Sequence, residues 1–194
     1  MSKVTLGPKP FLLPQPAVLV GTLVDGVPNY MVAAWCGMAN HVPPMVTVAV
    51  RPSRHTERGI QAHRAFSLNI PSAALAAQAD YCGIVSGAKE DKSGVFTTEV
   101  GTVEGAPLIR ECPLALECRL VQTLELPTHH LHVGEIVEVH AEETCLAQGA
   151  PDMGLVDPLI YSITDGNYWQ VGKAVGKAFW VGREWKERRR REPL

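Results

Sequence analysis

A chain of 194 residues with 46% hydrophobic and 20% charged side chains has the balance of a folded domain with a proper core, which excludes global disorder. The formal net charge of −2 is unevenly placed: residues 183–192 hold six basic and three acidic side chains, leaving twelve basic and seventeen acidic ones in residues 1–182. So acidic a body has no basic stripe for nucleic acid, and no apolar run reaches the roughly 20 residues of a membrane span.

The start, Met1 to Pro16, is proline-rich and has neither the apolar core nor the cleavage site of a secretion signal. A cytoplasmic protein is therefore expected. A run of β-formers, Ala17 to Val24, ends at Asp25-Gly26-Val27-Pro28, a turn signal. Tyr30 to Met38 reads as the return strand of a hairpin. Met45 to Val50 is a third strand, fixed at its start by Pro43 and Pro44. Ser53 or Thr56 then caps a helix of about ten residues. Phe66 to Ile70 alternates as a strand, and Ser72 caps a second, alanine-rich helix over Ala73 to Val85.

Residues 86–110 are glycine-rich and polar and read as a long covering loop. Leu114 to Leu126 and Leu131 to Leu146 are two long strands broken by Pro127, and Pro158 to Ile163 is a last short one. Trp169 to Trp180 carries glycine every few residues and is irregular. Glu184 to Arg191 is a charge run, expected as a frayed helix or disordered tail. One domain over 1–182 and a tail over 183–194 follow. Helices that fail to alternate with the strands exclude a doubly wound sheet, and strands of this length with hairpin turns predict a mainly β, antiparallel barrel. Five scattered cysteines (Cys36, Cys82, Cys112, Cys118, Cys145) include no C-x-x-C pair and read as reduced, mostly buried thiols.

Nucleotide motifs of the Rossmann and P-loop kinds and a G-x-S-x-G elbow are absent. Four segments remain. Arg51, Ser53, Arg54 and Thr56 bracket a helix start, where free N–H groups and the dipole favour a phosphate; the plain alternative is a helix cap with solvated arginines. Trp35, beside Cys36, offers an apolar wall to a flat ring such as an isoalloxazine, or is simply core. Lys92 in the long loop can reach a pyrimidine carbonyl or the N1 of a reduced flavin, or be a solvated turn. His130 and His132 share a strand face, but a metal needs at least one further ligand. His140 lies ~26 Å further along an extended strand, so no metal is expected.

Taken together, these segments resemble the flavin reductase-like FMN-binding proteins, in particular their flavoredoxin branch, over about residues 10–180. The marks are Pro16 to Leu23, Asn29, Trp35, Pro44 and the strand to Arg51, His55-Thr56, Phe66 to Ile70, Asp91-Lys92, Leu116 to Cys118, and His129 five residues before Gly134-Glu135-Ile136. The resemblance implies a split β-barrel of Greek-key order with a few flanking helices, a homodimer, and FMN near the subunit interface. It implies FMN contacts from Asn29, Trp35, Cys36, Thr56, Lys92 and His129, a phosphate held by Arg51, Ser53 and Arg54, and an aromatic ring at Tyr161. His130 beside His129 leaves open which imidazole meets the flavin. The flavin would carry the chemistry, with no catalytic side chain required. The expected activity is an NAD(P)H:flavin oxidoreductase; the alternatives are an electron carrier served by a redox protein partner, or a heme- or flavin-binding regulatory barrel.

Overall fold

The computed structural model describes residues 2–191. Its first hairpin joins β1 (Val18–Val24) to β2 (Val27–Ala33). Asp25 and Gly26, with φ of 53° and 81°, form the two-residue turn between them. Positive φ at both positions gives the turn whose twist matches that of paired strands. Pro28 falls in β2, an edge strand, where its missing N–H breaks no ladder. The return strand does not run on to Met38. It stops at Ala33, and after Ala34 and Trp35 a new strand, β3 (Cys36–Asn40), pairs with β4 (Met45–Val50).

Helix α1 (His55–His63), β5 (Ala65–Ile70), helix α2 (Ala76–Ile84) and the twelve-residue strands β6 (Leu114–Glu125) and β7 (His130–Ala141) complete the body. The seven strands form one antiparallel sheet in the order β2-β1-β5-β6-β7-β4-β3. Its two edge strands, β2 and β3, are consecutive in sequence. The two-residue link Ala34–Trp35 therefore spans the split where the barrel fails to close. The N–H of Ala49 donates to the Trp35 carbonyl at 2.9 Å and fixes the link against β4.

Inward residues of both halves make one core: Val18, Val20, Met31, Val48, Phe66, Leu68, Cys118 and Leu120, with Ile60 entering from α1. Each such side chain contributes about 1.5–3 kcal/mol by leaving water. Helix α1 lies close on β1 because residue 59 is glycine; a Cβ there would meet the Leu23 carbonyl and the Thr22 side chain. A second core lies outside β1 and β2, where Leu19 and Tyr30 pack under Ala79 and Cys82 of α2 with Phe96, Ile109 and Leu159.

Residues 86–110 are a cover, as the sequence suggests, and they are pinned. Ser67 Oγ donates to the Pro107 carbonyl at 2.5 Å, and Asn69 Oδ1 accepts the Ile109 N–H at 2.8 Å. The buried Glu117 carboxylate accepts the N–H groups of Thr102 and Val103 and bonds His140 Nε2 at 2.6 Å.

Three further local expectations fail. The N-cap of α1 is Arg54, with no side-chain cap, so neither Ser53 nor Thr56 caps it; Thr56 is already inside the first turn and is buried. Ser72 caps nothing with its side chain, and a 3₁₀ turn over Ala73–Leu75 precedes α2. Strand β7 ends at Ala141, because Glu143–Cys145 turn into a 3₁₀ helix. Ile160–Ser162 is a strand as read, held between Gln15–Pro16 and Asn167–Trp169. Residues 172–190 are all exposed, and helix α3 (Trp180–Arg191) starts before the predicted tail; residues 192–194 of that tail lie outside the described residues. The five cysteines are free, four of them buried. Among the described residues no helix is long and apolar enough to cross a membrane.

Candidate functional site

Trp35, Cys36, His129 and Tyr161 of the sequence-predicted residues lie at or beside the split. Trp35, 39% exposed, lies against the His129 ring with centroids 4.7 Å apart and planes at 39°. His129 arrives from the turn before β7, and Thr128 Oγ1 bonds its Nδ1 at 2.9 Å. Burial, with the nearby Arg51 guanidinium, lowers the His129 pKa from its ordinary value and favours the neutral ring. Of the two adjacent histidines, His129 faces Trp35, whereas His130 turns to the opposite side, toward α1.

A cavity of about 680 Å³ opens beside this pair, walled by Ala34, Trp35, Cys36, Thr47 and Leu131 on one side and by the Lys9–Pro16 segment on the other. That is ample for a three-ring ligand. On the Lys9–Pro16 side, Gln15 carries a buried side-chain oxygen, Oε1, with no hydrogen-bond partner among the described residues. An orphaned acceptor of this kind carries a desolvation cost that a donor on a ligand would relieve. Burial pushes the Cys36 thiol up to about 11, so it lines the wall as a neutral group and not as a thiolate.

Across the Ala34 link lies a second cavity of about 320 Å³, bounded by Val32, Asp80, Gly83, Tyr161 and Tyr168. Tyr161 thus reaches the split from the other side, its ring 5.8 Å from that of Tyr168.

Arg51, Ser53 and Arg54 are exposed on the loop from β4 into α1. The Arg54 guanidinium donates to the Gly83 carbonyl at 3.5 Å, a long bond that leaves most of its donors free. With no side-chain cap on α1, these side chains and the first turn of the helix present positive charge and free N–H groups to one patch of surface.

Asn29, Thr56 and Lys92 are set behind that patch and are all buried. Asn29 Nδ2 donates to Thr56 Oγ1 at 2.7 Å, which ties β2 to the first turn of α1. Lys92 stands differently from the sequence expectation. Its ammonium donates to the carbonyls of Tyr30, Cys82 and Val85 at 2.6, 3.1 and 3.1 Å. All three protons are used, so none is free for a pyrimidine edge. Lys92 caps the C-terminus of α2 and closes part of the bare edge of β2. Burial lowers its pKa.

One group was missed in the sequence. The buried carboxylate of Glu57 bonds His130 Nδ1 with Oε1 and His132 Nε2 with Oε2, each at 2.7 Å, while Gln61 Nε2 donates to Oε1 at 3.0 Å. Burial would raise the Glu57 pKa, but the bonds from His132, His130 and Gln61 outweigh it and hold the group at about 2. The strand alternation did place the two imidazoles on one face. No sequence signal joined them to a glutamate more than seventy residues earlier.

A sequence model of the flavin reductase like domain matches residues 11–168. Among solved structures, the chain is 42% identical to a flavoredoxin of Methanosarcina acetivorans, covering 95% of this chain and all of that one, with a TM-score of 0.92. It is 39% identical to the flavoredoxin of Desulfovibrio vulgaris (Miyazaki F), over 93% of this chain and 100% of that one, with a TM-score of 0.88. An FMN-binding protein of Thermus thermophilus, solved with bound p-hydroxybenzaldehyde, is 26% identical over 91% and 99% of the two chains, with a TM-score of 0.78. With the split barrel on the page and more than half of its length matched, the chain belongs to the flavin reductase like domain family, on the side of the flavoredoxins.

Proposed function

We propose that this protein binds FMN non-covalently at the barrel split and transfers electrons or hydride through it. The observation that carries the reading is an aromatic and histidine wall beside a cavity of about 680 Å³, with Arg51, at the start of the loop into the uncapped α1, close enough to His129 to act on its charge. The residues fit the group. Trp35, His129 and Cys36 give a flat apolar surface, Gln15 Oε1 is an unmet acceptor for the ring N–H of a pyrimidine, and Arg51, Ser53 and Arg54 suit a phosphate. Tyr161 closes the site from the side of the second cavity. Asn29, Thr56 and Lys92 hold β2, α1 and α2 in the positions that shape it.

Bound flavin would supply the redox chemistry, accepting a hydride or single electrons. The neutral His129 ring adds no positive charge to the wall, and the buried thiol of Cys36 keeps its proton. NAD(P)H as donor makes the protein an oxidoreductase; a protein donor makes it a carrier. The heme reading loses ground, since His132 is fully buried and neither His130 nor His132 lines either cavity at the split, which leaves no room for a macrocycle at these imidazoles.

The test is an absorption spectrum of the purified chain, followed by heat release and identification of any flavin. FMN near one per chain is expected, and Trp35→Ala should weaken it at least tenfold, on the order of a lost stacking partner. A colourless protein that takes up no added FMN would overturn the proposal. NADH and NADPH oxidation with added FMN then separates enzyme from carrier, and light scattering tests the homodimer we also infer.

A further inference from the structure

The Glu57, His130 and His132 cluster lies on the far side of β7 from the Trp35 wall and plays no part in the flavin reading. Two imidazole nitrogens and a carboxylate oxygen converge there, with ligand atoms within 4.8 Å of one another. Two histidines and one glutamate are a complete protein donor set for a borderline divalent ion that keeps an open position for water. We propose that these three residues form a binding site for one divalent transition-metal ion, for which zinc is the probe.

Each residue is positioned by a different constraint. The period of β7 puts His130 and His132 on the inner face, and α1, pressed on β1 at Gly59, brings Glu57 to them. At 2.7 Å the nitrogens and oxygens are at hydrogen-bond distance. Ligand atoms about 2.1 Å from a tetrahedral ion stand roughly 3.4 Å apart. For each of the two hydrogen-bonded pairs the change is less than an ångström, within reach of side-chain rotation.

The outer partners a metal site requires are present. Thr123 Oγ1 bonds His132 Nδ1 at 3.0 Å. A hydroxyl both donates and accepts. Thr123 can therefore donate to Nδ1 while Nε2–H bonds Glu57, and accept from Nδ1–H once Nε2 ligates. Gln61 orients the carboxylate from one helical turn away. His132 is fully buried, whereas the His130 side chain is 21% exposed, which gives an ion and its water a way in. Competition from thiolate is disfavoured at Cys36 and Cys118, where burial pushes the thiol pKa up and keeps the proton on sulfur.

The test uses the full chain as purified, without an affinity tag. After chelation and dialysis, zinc is titrated by calorimetry, and Tm is recorded with and without zinc. One equivalent is expected to bind and to raise Tm, since a ligand that favours the folded state stabilises it. His130→Ala, at the partly exposed ligand, and Glu57→Gln should each weaken binding at least tenfold and abolish the Tm rise, while Cys36→Ser should leave both intact. Should Glu57→Gln fail to fold, His130→Ala decides alone. Absence of saturable binding, or binding that survives His130→Ala and disappears in Cys36→Ser, overturns the proposal. Neither result depends on bound flavin.

Discussion

Lys92 shows how far a residue's place in a motif can stand from its physical role. From the sequence it is a loop lysine, free to meet a ligand. In the fold it is buried, and its ammonium serves the end of α2 and an edge strand through three backbone carbonyls. Nothing in a sequence marks such a destination, because a backbone carbonyl carries no residue identity. Lys92→Met should keep the volume but orphan three acceptors. A loss of about 3 kcal/mol in unfolding free energy is expected from urea titration, and a change within 0.5 kcal/mol, the usual range for surface sites, would remove this account. Trp35 and His129 are the opposite case. Each was singled out, yet their contact depends on ninety-odd intervening residues, and only the family resemblance put them in one site.

Elements reveal a second kind of buried charge. Strand β6 presents Leu116, Cys118 and Leu120 to the barrel and Glu117 to its outer side, where residues 99–105 cover it. Burial would raise the Glu117 pKa, but the N–H of Val103, His140 and the N–H of Thr102 bond the ionised form and bring it below 4.5. A depressed folded value means that the unfolded chain binds the proton first as pH falls. The stabilisation is therefore complete above pH 4.5 and is lost as pH drops through the folded value. Glu117→Gln should cost about 2 kcal/mol at neutral pH, and its deficit against the parent should shrink below pH 4.5, read by urea unfolding across an acid series. A deficit independent of pH would show that ionisation at this position contributes nothing. Most predicted strands held because alternation and turn residues are local, the exceptions being the return strand that breaks after Ala33 and β7, which ends at Ala141. The caps of α1 and α2 did not, since hydroxyl residues near a helix start mark a region and not the bond itself.

For the whole molecule, the barrel and its partial cover hold the tertiary contacts, and residues 172–190 run clear of them. Residues 172–190 are exposed throughout, and α3 is only twelve residues long, a length at which a helix without tertiary packing is marginal. Deleting residues 172–194 should leave Tm of the remaining chain within about 2 °C, as expected where no buried contact is lost. A larger fall in calorimetry would mean that the segment packs on the body. The fold class was legible because it follows from strand length and turn spacing. The split was legible only through the family resemblance: residue by residue the sequence read one strand where the chain makes two, and the break at Ala34–Trp35 is what creates the opening.

The scatter of the indoles has an optical consequence. Of the four tryptophans, Trp35 faces the split, Trp169 ends a small strand, and Trp180 and Trp185 ride on α3 under the cations of Lys177, Arg183 and Arg189. Ultraviolet emission from the intact chain is thus a mixture in which half the emitters sit on an exposed arm. A chromophore in the split would quench Trp35 by contact and the arm only by resonance transfer. The shortened chain, retaining only Trp35 and Trp169, would turn a blurred signal into a gauge of occupancy.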